Sequence, residues 1–214
     1  MTRAALFDAA ARVVGKHGYA GASVARITRE AGVAQGTFYN YFTTRQDLLD
    51  QLLPALGADM LGFIHERVRG IVDPLSREEA QFRAFFDFLV GYPQFYRILH
   101  EAEQFAPKAH AQHFANIEQG YVRSLKRQRG QGDVPDYSDA DLQAISYVLM
   151  AARDYLGVRY AYRNGRVQPI PEWVVAAYMK LVRHGLYGRE AARTRAAVPA
   201  DGNVSVLPRR RSRR

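Results

Sequence analysis

Apolar positions in this chain recur every three or four residues almost throughout, and that period predicts helices. Leu6, Phe7, Ala10, Val13 and Val14 fall on one face of a first helix over residues 3–17, and Gly18 is placed to stop it. Val24, Ile27 and Ala31 make one face of a short second helix. Ser23 opens it with a hydroxyl suited to the first free N–H groups, and Gly32 closes it where a left-handed residue is needed. Phe38 and Phe42, four apart, form the buried edge of a third helix over residues 35–42. Thr44 and Asp47 approximate a capping box before a fourth, which starts at Arg45 and carries Leu48, Leu49, Leu52 and Leu53. Pro54 and Gly57 interrupt that pattern, so a kink or break is expected there, either a hinge or a plain structural bend.

The same reading continues down the chain. Ser76 with Glu79 caps a helix through residues 82–90, Pro93 opens one over 94–105, and Pro107 opens another to about residue 129. Ser138 with Asp141 starts a long helix reaching about residue 164, and Pro171 opens the last. The expected fold is therefore all-α, with about nine helices and no strand. A three-helix helix-turn-helix domain occupies residues 1–53, a helical body residues 54–188, and a basic, disordered tail residues 189–214.

Packing Phe38 and Phe42 inward leaves Gln35, Gly36, Thr37, Tyr39, Asn40 and Tyr41 on or near the opposite surface. Amides and hydroxyls read base edges in the major groove, while hydroxyls and phenols also bond phosphate oxygens. Arg45 stands at a helix start, where a phosphate is attracted twice over, and Ser23 and Arg26 complete the expected DNA-facing set. The plainer alternative is a small helical hairpin with an ordinary wet face. The run A-G-V-A-Q-G-T-F-Y-N-Y-F, followed by a polar link and D-L-L, resembles the DNA-binding domain of TetR-family transcriptional regulators over residues 3–53. The resemblance implies groove and phosphate contacts by Thr37, Tyr39 and Tyr41, a base reader in Gln35 and a phosphate clamp in Arg45. The family often has a polar residue where this chain has Ala34, so one cap and one DNA contact are missing.

On the long helix, Leu142, Ile145, Leu149, Ala152 and Leu156 form one apolar stripe. Val148, Ala151, Tyr155, Val158 and Tyr162 form a second, about 100° round the axis. Two stripes need cover from two sides, which fits either a central core helix or pairing with a second copy. A two-fold homodimer is the expectation, because helix-turn-helix proteins bind palindromic DNA that way. The resemblance implies a four-helix bundle of the last two helices. Its expected contacts are Ile145, Val148, Leu149, Ala152 and Leu156 with Trp173, Val174, Ala177, Tyr178 and Leu181.

The middle of the chain is rich in aromatics. Phe63, Phe82, Phe86, Tyr92, Phe95 and Tyr96, with His65 and His100, are expected to line an effector cavity between helices, although rings at such spacing also serve as plain core. Arg97 and Glu103 are further polar candidates. The order R-I-L-H-E-A-E-Q-F-A-P, residues 97–107, resembles a TetR subgroup whose effectors are acyl or aromatic carboxylates. His110 and His113, and likewise His100 and Glu103, are three apart, but two ligands fall short of a metal site and solvated histidines are expected. No catalytic centre, cofactor or metal is expected.

Charge changes this picture little. The formal net charge is +9, but residues 189–214 hold eight arginines against Glu190 and Asp201, so the basic balance is mostly a property of the tail. No cysteine occurs, which excludes a disulfide framework and thiolate metal sites. No apolar run of membrane-spanning length appears, and a cytoplasmic location is expected. The expected function is a sequence-specific DNA-binding transcriptional regulator, a repressor, that binds a palindromic operator under control of a small apolar or amphipathic effector. A ligand-independent DNA-binding or architectural protein is the alternative, and a solidly filled body would favour it.

Overall fold

The computed structural model describes residues 3–163 and 166–186. Its helices are α1 (Arg3–Gly21), α2 (Val24–Ala31), α3 (Gln35–Tyr39), α4 (Arg45–Arg67), α5 (Pro74–Gly91), α6 (Gln94–Phe105), α7 (Pro107–Gln131), α8 (Asp139–Leu156) and α9 (Glu172–Leu181). The basic tail expected over residues 189–214 lies outside the described residues.

The N-terminal helices close as their apolar faces require. Leu6, Val14, Ile27, Phe38, Phe42, Leu48 and Leu52 are buried together, and the Phe7 ring meets Phe42 edge-on at 5.3 Å. Ser23 caps α2, accepting from Arg26 N, and Gly32 ends it in the left-handed region at φ 70°, where its own N–H and that of Val33 satisfy the last carbonyls. Thr44 caps α4 by accepting from Asp47 N at 3.0 Å, and the Asp47 carboxylate reaches back to Thr43 N rather than to Thr44.

Several local expectations are corrected. Gly18 does leave helical geometry (φ 71°), but the chain re-enters a helical turn up to Gly21. The polar third helix is shorter than the expected 35–42: Asn40 and Tyr41 form a turn after it, and Phe42 is still buried. Of the kink or break expected at Pro54 and Gly57, the break is absent: α4 runs continuously from Arg45 to Arg67. A proline removes one N–H, a loss that a long helix packed on both α5 and α7 can absorb. Gly57 has a packing role instead: a Cβ there would meet the His113 ring of α7, so only glycine lets the two helices approach this closely. Helix α5 begins earlier than Ser76, capped by Asp73, which accepts from Ser76 N at 2.7 Å with Pro74 in the first turn. The Ser138–Asp141 capping box of α8 is present in both directions. Helix α8 then widens into a π-type turn over Gly157–Ala161 and ends in a hairpin that pairs Tyr162–Arg163 with Arg166–Val167, two short strands where none was expected.

The N-terminal unit is joined to the body twice. Helix α4 continues directly into it, and α1 lies along α6. That crossing is close because Gly15 faces Gln94, where a Cβ would stand 2.5 Å from the Gln94 Cβ. On α6, Arg97 donates to Glu101 at 2.6 Å and to the Gly15 carbonyl at 3.3 Å. Glu101 in turn accepts from Tyr19 N at 2.7 Å. Arg97 therefore holds α1 and does not reach a ligand.

Candidate functional site

The surface formed by α2 and α3 is the first candidate. Phe38 is fully buried, and Gln35, Gly36, Tyr39, Asn40 and Tyr41 are exposed around it, with Thr37 half-buried. Ser23 and Arg26 are exposed beside them, though Ser23 is engaged as the α2 cap and Arg26 donates to the Gly21 carbonyl at 2.7 Å. Ala34 offers α3 no side-chain cap. Arg45 is placed differently from a free phosphate clamp. It is half-buried, its Nε donates to the Ala22 carbonyl at 2.6 Å, and its Nη2 donates to the Tyr19 carbonyl. The chain from α1 to α2 turns tightly, with Ala22 N donating to the Tyr19 carbonyl at 3.2 Å, and the guanidinium adds a second donor there and takes up the Ala22 carbonyl.

The second candidate is a cavity of ≈ 340 Å³ enclosed by α4 to α8, a size within the usual range for small-molecule sites. Its inner wall is apolar: Met60 and Ile64 from α4, Phe85 from α5, Phe95 and Leu99 from α6, Phe114 and Ile117 from α7, Met150 from α8. The lining residues that are exposed are Leu61 and His65 on α4 and Asn116, Gly120 and Arg123 on α7, so the cavity opens between these two helices. Arg77 and Gln81 add polar atoms on the α5 side.

Of the eight residues expected to line it, His65 and Phe95 do. Phe82 and Phe86 are buried but turned away, with Phe82 stacked on Tyr178 at 4.0 Å. The cavity face of α5 is Arg77, Gln81 and Phe85, spaced by four, and Phe82 and Phe86 each lie one residue, about 100°, further round. Phe63 sits beneath Arg67, whose guanidinium is 3.7 Å from the ring centre, and Tyr92 stacks on Phe88 at 4.6 Å. Tyr96 stacks on Tyr162, and His100 pairs with Asp154 at 3.2 Å. His113, expected in solvent, is instead buried on the cavity wall. The sequence signal for it was Gly57, whose missing side chain leaves room for a ring.

Beneath the cavity lies a buried ion pair. Arg153 Nη2 donates to Glu78 at 2.7 Å, and the Tyr178 hydroxyl donates to the same carboxylate. Burial alone would lower the Arg153 pKa, but the Glu78 carboxylate more than reverses this and keeps the guanidinium charged. The network ties α5, α8 and α9 together and closes the cavity floor with no net charge.

The two stripes of α8 separate except at Tyr162, which is half-buried and packs inward on Tyr96. Leu142 and Leu149 face the subunit core with Ile145, Ala152 and Leu156 at its margin, whereas Val148, Ala151, Tyr155 and Val158 face outward. On α9, Trp173, Ala177 and Leu181 face outward, while Val174 (2% exposed) and Tyr178 are core. Leu149, Val174 and Tyr178 therefore have no surface to offer a second subunit. Val148 (62%), Tyr155 (79%), Trp173 (59%) and Leu181 (67%) are the most open of the large apolar groups on α8 and α9.

The described residues thus combine a helix-turn-helix that exposes a short polar helix with a helical body that holds an internal cavity. Residues 6–52 match the model of the family described as "Bacterial regulatory proteins, tetR family". The match covers the helix-turn-helix unit, so it is this N-terminal part of the chain that is similar to the TetR-family DNA-binding domain. Over 47 residues it is 43% identical to the fatty acid metabolism regulator protein of Bacillus subtilis (strain 168), an alignment covering 22% of this chain and 24% of that protein. Over 99 residues it is 29% identical to the HTH-type transcriptional activator FasR of Mycolicibacterium smegmatis, covering 46% of this chain and 45% of that one. The chain thus spans from a quarter to just under half the length of these curated relatives. In fold it is similar to the transcriptional regulator FadR from Bacillus subtilis, solved in complex with stearoyl-CoA, with a TM-score of 0.71 at 18% identity over 88% of this chain and all of that one. Among the described residues no helix is long and apolar enough to cross a membrane.

Proposed function

We propose that this protein is a dimeric repressor that binds a palindromic operator and is released from it by an amphipathic acyl ligand, an acyl-CoA thioester or its free carboxylate. The observation that carries the reading is the cavity: apolar inside, open between α4 and α7, and bordered there by Arg123 and His65. Such a site suits an acyl chain within and an anionic head group at the mouth. The stearoyl-CoA held by a protein of similar fold supports the same class.

The division into a DNA-binding domain over 1–53 and an effector and dimerisation domain from residue 54 belongs to this reading. Gln35 and Thr37 would meet base edges, Tyr39, Asn40 and Tyr41 the backbone, and Val148, Trp173, Ala177 and Leu181 a second subunit. Two helices carry the signal. Helix α6 presents Phe95 and Leu99 to the cavity and Arg97 with Glu101 to α1, so displacing one face moves the other. Helix α4 presents Met60 and Ile64 to the cavity, and Arg45 at its start grips the turn between α1 and α2. The ligand shifts DNA affinity only by its differential affinity for the two arrangements, typically about 1–3 kcal/mol.

Sequencing the fragments of its own genome that the protein retains, with and without dodecanoyl-CoA, tests the reading. Recovery of one palindromic motif that the ligand depletes supports it. Unselective retention, or a motif indifferent to every acyl ligand, refutes it.

A further inference from the structure

His113 stands out on the cavity wall. It is 3% exposed, and among the described residues no group hydrogen-bonds its ring. Its neighbours are apolar: the Phe95 ring lies edge-on at 5.9 Å, Phe114 at 5.6 Å, and Gly57 of α4 presses on the Nδ1–Cε1 edge. A ring that borders a cavity and has no protein partner takes its hydrogen bond from whatever the cavity holds. A polar side chain kept open toward a ligand cavity points to a partner that arrives with the ligand.

The chemistry of that partner follows from charge. Burial, with His110 nearby, pushes the His113 pKa down to about 4, so the imidazole is neutral near neutral pH and offers one donor and one acceptor. The buried cation on the same cavity, Arg153, is already paired with Glu78. The cavity's half-buried cation, Arg77 on α5, bonds only the Val68 and Ile71 carbonyls among the described residues and is the group suited to an anion. A neutral imidazole set between Phe95 and Phe114 has no charge to offer one. A carbonyl or hydroxyl oxygen needs none.

We propose that His113 is the specificity-determining residue of the cavity, hydrogen-bonding a neutral oxygen on the apolar part of the effector, a thioester carbonyl or a chain hydroxyl, while the anionic head group stays at the mouth. This rests on the effector reading above and narrows it. His113 discriminates oxygenated chains from saturated ones of equal length, which the apolar wall alone cannot do.

Three probes with one head group test it on the full chain by isothermal titration: dodecanoyl-CoA, its thioether S-dodecyl-CoA, and 3-hydroxydodecanoyl-CoA. A hydrogen bond of the usual net strength should favour one oxygenated probe over its match by about two- to tenfold. If the carbonyl is read, dodecanoyl-CoA outbinds the thioether; if a hydroxyl is read, the hydroxyacyl probe outbinds dodecanoyl-CoA. In His113→Phe either preference should vanish while the thioether binds at least as well as before. A preference that survives in His113→Phe overturns the proposal, and so does equal binding of all three by the unsubstituted protein. Nitrogen NMR of the His113 imidazole in the unsubstituted protein covers the case where the variant fails to fold. Its resonances should move with the preferred oxygenated probe and stay with the thioether, and identical spectra overturn the proposal. Failure of all three probes to bind refutes the effector reading itself, whereas binding without discrimination refutes the role of His113 alone.

Discussion

Substituting Gly57 by alanine sets two effects of known size against each other. Alanine is better than glycine inside a helix by about 1 kcal/mol, and Gly57 lies well within α4. The added Cβ, however, would stand 2.7 Å from His113 Cε1 and closer still to Nδ1. His113 is wedged between Phe95 and Phe114, so relief requires α4 to part from α7 or the ring to swing into the cavity. Adding a methyl to a packed core costs about 1–3 kcal/mol. The clash should win, leaving Gly57→Ala less stable by about 1 kcal/mol in urea unfolding and weaker for any acyl ligand. In a His113→Ala background the obstacle is gone, and the same change should stabilise by about 1 kcal/mol. The sign reversal is the diagnostic, because it isolates the contact as a coupling energy. If Gly57→Ala has the same effect in both backgrounds, the Gly57–His113 contact does not join α4 to the cavity wall.

The remaining expectations are these. His113 has a folded pKa of about 4 against an ordinary value of 6.5; its contribution to stability is complete above pH 6.5 and falls as pH drops toward 4, by about 3 kcal/mol in all. Urea unfolding should therefore show a steeper acid loss for the unsubstituted protein than for His113→Phe, and parallel pH profiles would contradict this. Val148→Asp should give a folded monomer in sedimentation, whereas Val174→Asp should unfold the subunit by burying a carboxylate in its core; a folded Val148→Asp dimer would remove the proposed interface. Arg45→Ala should lower thermal stability by about 1–3 kcal/mol, because it removes the guanidinium from the Ala22 carbonyl and leaves the Tyr19 carbonyl with the Ala22 N–H alone. Gln35→Ala and Thr37→Ala should leave stability unchanged and relax preference at single base pairs by about 1–3 kcal/mol. An unaltered melting curve for Arg45→Ala would return that residue to the DNA surface.

What the sequence made legible was local. Ser23, Gly32, Thr44 and Ser138 act within three or four residues of themselves, so their roles are visible in a short window, and the helices follow from apolar period alone. What it hid depends on partners distant in the chain. Arg45 looks like a free cation until its helix start is set beside the carbonyls of Tyr19 and Ala22, and Arg97 until α6 is laid on Gly15. Phe82 and Phe85 are chemically alike and differ only in azimuth, so which of them lines a cavity is decided by where α7 and α8 sit. The two stripes of α8 were both readable, but only packing shows which one the subunit keeps for itself. Pro54 was expected to kink or break α4 on intrinsic preference, and tertiary packing along the whole helix keeps it from breaking.

The central claim is that cavity and DNA surface share one equilibrium. The most direct test is calorimetric titration of one acyl-CoA into the protein alone and into the protein saturated with its operator. Reciprocity requires that a ligand which lowers operator affinity bind the DNA-free dimer more tightly, by the same factor, about 5- to 150-fold. Equal affinity in both titrations, however tight, would contradict the account, because the cavity would then hold a ligand without telling the DNA-binding helices anything.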